Sequence, residues 1–195
     1  MSWFDFSLCV YCGSGFGIDS RHAEAARELG KRLAERRWRL VYGGARIGLM
    51  GAMADAALAG GGQVIAIIPG HLDKTEHGHR GATELHVVET MHERKNRMFE
   101  VSDAFAVLPG GFGTLDEAFE MLTWRKLGLH DKPVFLVDIA GYWRPLLALV
   151  DHVIGQGFAG PGDRRLYQVV GTVEELLAAA EAAPRPRLSP HPERL

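Results

Sequence analysis

Two cysteines, Cys9 and Cys12, are too few to build a disulfide framework, and the chain reads as a resident of a reducing cytoplasm. No run of about 18 apolar residues occurs, so no spanning helix and no membrane partner is expected. The first residues, Met1, Ser2, Trp3, Phe4 and Asp5, lack the basic start and apolar core of a signal peptide. An excess of either charge is also missing. Lys plus Arg number 22 against 24 for Asp plus Glu, a net charge of -2, which leaves no electrostatic footprint for nucleic acid. What the 195 residues do contain in quantity is glycine, 24 of them, gathered in a few short clusters.

Between the clusters, short apolar runs alternate with amphipathic stretches, the pattern of an α/β domain built on a parallel sheet. The spacing predicts strands over 7–11, 39–42, 63–68, 85–88, 104–108 and 134–137. It predicts helices over about 20–37, 48–59, 91–101, 114–127, 142–155 and 173–183, the first capped by Ser20. Residues 71–82, polar and rich in His and Gly, read as a loop. Four of the nine prolines fall in 184–195, so the chain divides into one domain over 1–183 and a disordered tail.

Three glycine clusters stand where a strand hands over to a helix: Gly13-Ser14-Gly15, Gly43-Gly44 and Gly110-Gly111-Phe112-Gly113-Thr114. In an open parallel sheet such loops gather at the carboxyl edge of the strands. Glycine admits a ligand close to the backbone, and the N–H groups at a helix start favour anions. One such loop is an ordinary tight turn; three on one edge point to an anionic ligand. No Gly-Lys-Ser/Thr ending marks a P-loop, and the acidic ribose ligand of a dinucleotide site is missing after Tyr42. A mononucleotide or sugar phosphate therefore fits better than ATP hydrolysis or NAD.

Charge placement adds to this. In a helix from Met91 to Met98, Arg94 and Lys95 fall within the stripe that the two methionines define. Buried cations demand an anionic partner; a solvated face is the plain alternative. On the next helix Thr114, Glu117, Met121 and Trp124 share one face. Glu117 then lies in the first turn, where the helix dipole and nearby cations are expected to keep it ionised. Asp116 and Glu120 are possible substitutes. Trp124 and Met121 either wall a base pocket or belong to the core. Cys9 and Cys12 on a strand point to opposite faces, and His71, His77 and His79 suit a polar loop better than a metal site, so no metal is expected.

Pro109-Gly110-Gly111-Phe112-Gly113-Thr114-Leu115-Asp116-Glu117 resembles the PGGxGTxxE motif of the LOG ("lonely guy") family. Met91-His92-Glu93-Arg94-Lys95 resembles its MHxRK motif, and the likeness extends from about residue 7 to 171. The resemblance implies a Rossmann-like, three-layer homodimer with a mainly parallel sheet. It implies hydrolysis of the N-glycosidic bond of cytokinin riboside 5'-monophosphates, with AMP as a further substrate, giving free base and ribose 5-phosphate. Arg94 and Glu117 would be the catalytic pair. Ser14, Gly44, Glu76, Met91, Lys95, Gly110, Gly111, Gly113, Thr114 and Thr123 would contact substrate, with no cofactor. Gly15 departs from a serine common in the family after the first Gly-Ser. The label of lysine decarboxylase often given to such proteins finds no support in this resemblance. A pyridoxal Schiff base would need a lysine at the site, and of the chain's lysines only Lys95 lies near it. The alternative reading is a nucleotide-binding or sensing module of the same fold with little catalysis.

Overall fold

The computed structural model describes residues 6–75 and 78–186. Among these residues seven strands form one sheet: β1 Ser7–Tyr11, β2 Arg39–Tyr42, β3 Val64–Pro69, β4 Glu84–Val88, β5 Ala104–Val107, β6 Val134–Val137 and β7 Gln168–Val170. Every pairing is parallel and the spatial order is β4-β3-β2-β1-β5-β6-β7. β1 therefore pairs with both β2 and β5, with Cys9 beside Val41 on one side and Phe105 on the other. The order reverses between β1 and β5, and the crevice at that switch point is where such sheets take ligands.

Helices cover both faces. They are α1 Ser20–Glu35, α2 Gly48–Ala59, α3 Gly70–Thr75, α4 Met91–Glu100, α5 Phe112–Lys126, α6 Arg144–Gly155 and α7 Val173–Ala182, with 3₁₀ turns at Ile139–Gly141 and Pro161–Leu166. Because strands of a sheet covered on both faces are buried throughout, β1, β3, β5 and β6 have no exposed residue. Leu8 and Val10 of β1 join the core under α1, α2 and α7. Cys9 and Tyr11 join the opposite core under α4 and α5, which places the two cysteines on opposite faces as their spacing demands. Met121 and Trp124 belong to this second core, with Trp124 edge-on to Phe99 at 5.4 Å.

Several expectations change. The cap of α1 is Asp19, whose carboxylate accepts from the Arg21 amide, not Ser20. Residues 70–75 form a short helix where a loop was expected. Helix α5 starts at Phe112, two residues early, so Glu117 lies in its second turn and not its first. Strand β7 has no counterpart in the sequence reading; it is three residues long and two of them are exposed. Glu76 and His77, and the tail from 187 onward, lie outside the described residues. Among the described residues no helix is long and apolar enough to cross a membrane, and no group of three or more His, Cys, Asp or Glu is placed to hold a metal.

Candidate active site

The glycine loops after β1 and β5 meet, and the start of α2, which follows the Gly43-Gly44 loop, joins them. The Gly13 amide donates to Pro109 O at 3.0 Å, and the Leu49 amide, in the first turn of α2, donates to Gly13 O at 3.1 Å. The backbones approach too closely for side chains: a Cβ on Gly110 would stand 2.9 Å from Gly13 N and 2.6 Å from Thr114 Cβ. Gly48, with φ at +56°, would place one 2.6 Å from Gly15 N. A cleft of about 640 Å³ opens over this junction, with Gly13, Ser14, Gly110 and Gly111 along one side and His22, Ala140 and Tyr142 among its other lining residues.

Among the described residues α2, α5 and α6 start without a side-chain cap, and of these α2 and α5 face the junction. Helices α1, α4 and α7 are closed by Asp19, Thr90 and Thr172 side chains. Helices α2 and α5 begin at Ile47 and Gly111 with no side-chain cap. In α5 the first intrahelical bond runs from Leu115 N to Gly111 O, leaving the amides of Phe112, Gly113 and Thr114 as the end donors of the helix. Uncapped donors with a positive dipole end suit an anion. Thr114 is buried, whereas Ser14 is exposed at the cleft.

Next to the loop, α4 and α5 bring two buried charges together. Arg94 Nη2 lies 3.2 Å from Glu117 Oε1, with side-chain exposures of 10% and 7%. The contact is an ion pair without a well-aligned hydrogen bond, since Glu117 Oε1 and Arg94 Nε are both buried and have no hydrogen-bond partner among the described residues. Room for the guanidinium comes from Gly43 at the end of β2: a Cβ there would overlap Arg94 Nη2 outright and lie 3.0 Å from Cζ. The sulfur of Met91, at the start of α4, sits 3.8 Å from Arg94 Nη1. Burial pushes the Glu117 carboxyl up to about 7, against the pull of Arg94. This runs against the expectation that the helix dipole and nearby cations keep it ionised, because desolvation outweighs Arg94.

Lys95 takes a separate role. Its ammonium lies 3.2 Å from Asp116 and 3.0 Å from Glu120. Burial disfavours the cation, but the Glu120 and Asp116 carboxylates outweigh it and hold its pKa above the usual value. Asp116 and Glu120 are thereby committed to Lys95, and of the three acids it is Glu117 that faces Arg94.

Of the substrate-contacting residues expected from sequence, Ser14, Gly110, Gly111, Gly113 and Thr114 form the junction itself. Met91 and Lys95 adjoin the Arg94–Glu117 pair. Gly44, with φ at +82° and its carbonyl bonded to the His79 amide at 2.9 Å, shapes the second loop. Thr123 is exposed and about 120° around α5 from Glu117, so the single chain does not bring it to the pair. Gly43 was read with Gly44 as a loop at the ligand edge, and the structure adds that it makes room for Arg94. Tyr142, whose hydroxyl donates to Gly110 O at 2.6 Å, carried no motif signal and escaped the sequence reading.

Comparison with known proteins gives a consistent picture. A family model described as "Possible lysine decarboxylase" matches residues 50–180. A cytokinin riboside 5'-monophosphate phosphoribohydrolase from Rhodococcoides fascians is 46% identical over 174 residues, covering 89% of this chain and 88% of that protein. An Arabidopsis thaliana protein of the same name is 44% identical over 89% of this chain and 81% of its own length. Among solved structures, a molybdenum cofactor binding protein from Rippkaea orientalis superposes with a TM-score of 0.69 at 21% identity, covering 93% and 98% of the two chains. That likeness concerns the fold alone.

Proposed function

Because the chain belongs to the LOG family of phosphoribohydrolases, we propose that it hydrolyses the N-glycosidic bond of cytokinin riboside 5'-monophosphates, releasing free base and ribose 5-phosphate. AMP, which differs only in the N6 substituent, is proposed as a second substrate. The observation that carries this reading is the buried Arg94–Glu117 pair beside an uncapped helix start, with a hydrogen-bonding atom of each residue unused.

The chemistry follows from that geometry. The 5'-phosphate docks on the amides of Phe112, Gly113 and Thr114, with the Thr114 and Ser14 hydroxyls as further donors. Anchoring the phosphate spends remote binding on placing C1' near Glu117. As the bond from C1' to the base nitrogen lengthens, positive charge grows on the ribose, and the Glu117 carboxylate stabilises it. The same carboxylate takes a proton from the attacking water, whose oxygen ends on C1'. The base leaves with the bonding pair and takes up a proton, so one water is consumed. Arg94 is always cationic and acts as no proton donor. It holds Glu117 and lowers the cost of its ionised form. Lys95, tied to Asp116 and Glu120, extends the cationic side of the site towards substrate.

A homodimer is part of the proposal. Thr123, exposed in the single chain, would contact substrate only where a second copy brings the two together.

A product assay tests the reading. Purified protein is incubated with AMP, isopentenyladenosine monophosphate, the unphosphorylated riboside and ATP, and free base is followed by chromatography. Release from the monophosphates alone is expected. Glu117→Gln is expected to lose at least about a thousandfold in kcat, on the scale of a removed transition-state group, while still binding monophosphate. Binding without release by the unmodified protein would make this a nucleotide-binding module instead.

A further inference from the structure

The turn after β6 reaches back across the sheet edge to the glycine loop. The Asp138 amide donates to Val170 O at 2.7 Å, and its Oδ1 accepts the Trp143 amide at 2.6 Å. Between these two anchors Ala140 and Gly141 both have left-handed φ, +58° and +77°. For alanine that conformation costs about 1 kcal/mol, and it persists because the bonds on either side impose it.

The result of the folded-back turn is that Tyr142 and Trp143, adjacent in sequence, both reach the segment leading out of β5. The Trp143 indole donates to Val107 O at 3.1 Å from within the core. The Tyr142 hydroxyl donates to Gly110 O at 2.6 Å. The Trp143 bond satisfies a buried indole and needs no further account. The Tyr142 bond is different. The residue is 40% exposed and its bond to Gly110 lies at the surface, so burial does not force this partner on it. The ring is steered there from two sides, edge-on to Trp143 at 4.8 Å and to His22 at 5.3 Å.

What the bond does follows from peptide geometry. In a planar trans peptide the carbonyl of Gly110 and the N–H of Gly111 point in opposite directions. Two successive glycines leave that plane free to rotate, with no side chain to restrain it. Fixing the Gly110 carbonyl therefore fixes the direction of the Gly111 N–H at the entrance to α5. We propose that Tyr142 is a positioning residue for the anion loop, its hydroxyl presetting the Gly110–Gly111 peptide so that the loop amides converge on a 5'-phosphate. This rests on the reading of that loop as the phosphate site.

Tyr142→Phe keeps the ring and both of its edge contacts and removes only the hydroxyl. The test measures kcat and KM for isopentenyladenosine monophosphate, cleavage of the unphosphorylated riboside, and inhibition by inorganic phosphate, in both proteins. The expected result is a rise of about tenfold in KM and in the phosphate inhibition constant, the scale of one neutral hydrogen bond. The kcat for the monophosphate and any riboside cleavage stay within about twofold. A merely structural role would instead lower kcat through a smaller active fraction and leave the phosphate inhibition constant unchanged. Unchanged KM and phosphate inhibition in the variant, with the unmodified enzyme still preferring the monophosphate, overturns the role of Tyr142 alone. An unmodified enzyme that treats monophosphate and riboside alike overturns the phosphate reading, and the role of Tyr142 with it.

Discussion

At the scale of single residues, the consequential fact is that Glu117 is buried beside a cation that only partly compensates for its lost hydration. A carboxyl whose pKa stands at about 7 exchanges protons close to neutral pH, which suits a group that must be ionised to stabilise a ribosyl cation and then hold a proton from water. With phosphate ionisation near 6 allowed for, kcat/KM for the monophosphate is expected to rise with pH and level off above about 7. A profile flat from pH 5 to 9 after that correction would remove Glu117 from the chemistry. Spacing from Thr114 and Met121 put this residue on an inward face, where the structure has it buried, but left Asp116 and Glu120 as substitutes, and only the resemblance to the PGGxGTxxE motif singled it out. Its protonation was not readable. Cations and a helix start can be seen in a string of letters, whereas desolvation depends on what α4 and β1 place around the carboxyl.

At the scale of elements, two glycines make opposite demands on neighbouring pieces. Gly30 lets α1 lie against α2; a Cβ there would overlap Met53 O and stand 3.0 Å from Ala57 N, all backbone. Gly43 lets α4 swing Arg94 across the end of β2, and the obstacle to a Cβ is the tip of a flexible side chain. Gly30→Ala is therefore expected to cost about 2 kcal/mol or more in unfolding free energy, with normal turnover per folded molecule. Gly43→Ala is expected to change stability by less than about 1 kcal/mol and to lower kcat about a hundredfold by displacing Arg94. Urea unfolding and kinetics on the same samples separate the two; matching losses would show that Arg94 is not the group displaced. Elements with strong periodicity were legible, as β1, β2, β6 and α2 fall on their predicted residues. The short ones were not. Three residues of β7 and six of α3 are held by pairing and packing from β6 and β3, and leave no pattern of their own.

At the scale of the whole molecule, the alternation of strands and helices revealed the fold class, but the order of strands was not legible, because it depends on pairings between segments distant in sequence. Stability across pH is another property no segment shows alone. Glu117 has its pKa raised, so it contributes stability below its ordinary value of 4.5 that is lost as pH rises to about 7. His130, buried against Met121 O at 2.9 Å, is held down to about 4 by burial. It stays neutral when folded, and its contribution is lost as pH falls from 6.5 to 4. The two slopes oppose each other in one window, each amounting to about 3 kcal/mol at most. Glu117→Gln removes one of them. Relative to the unmodified protein it is expected to gain up to about 3 kcal/mol between pH 4 and 8 and to lose stability more steeply in acid. Parallel stability curves in urea unfolding would contradict this. The uncapped start of α5 carries a last implication, for the order in which the enzyme empties. The anchor and the scissile bond sit on opposite sides of the ribose, so cleavage frees the base and leaves the sugar product gripped by the contacts that hold the phosphate. On this reaction the base is expected to depart first and ribose 5-phosphate last, from the helix it caps.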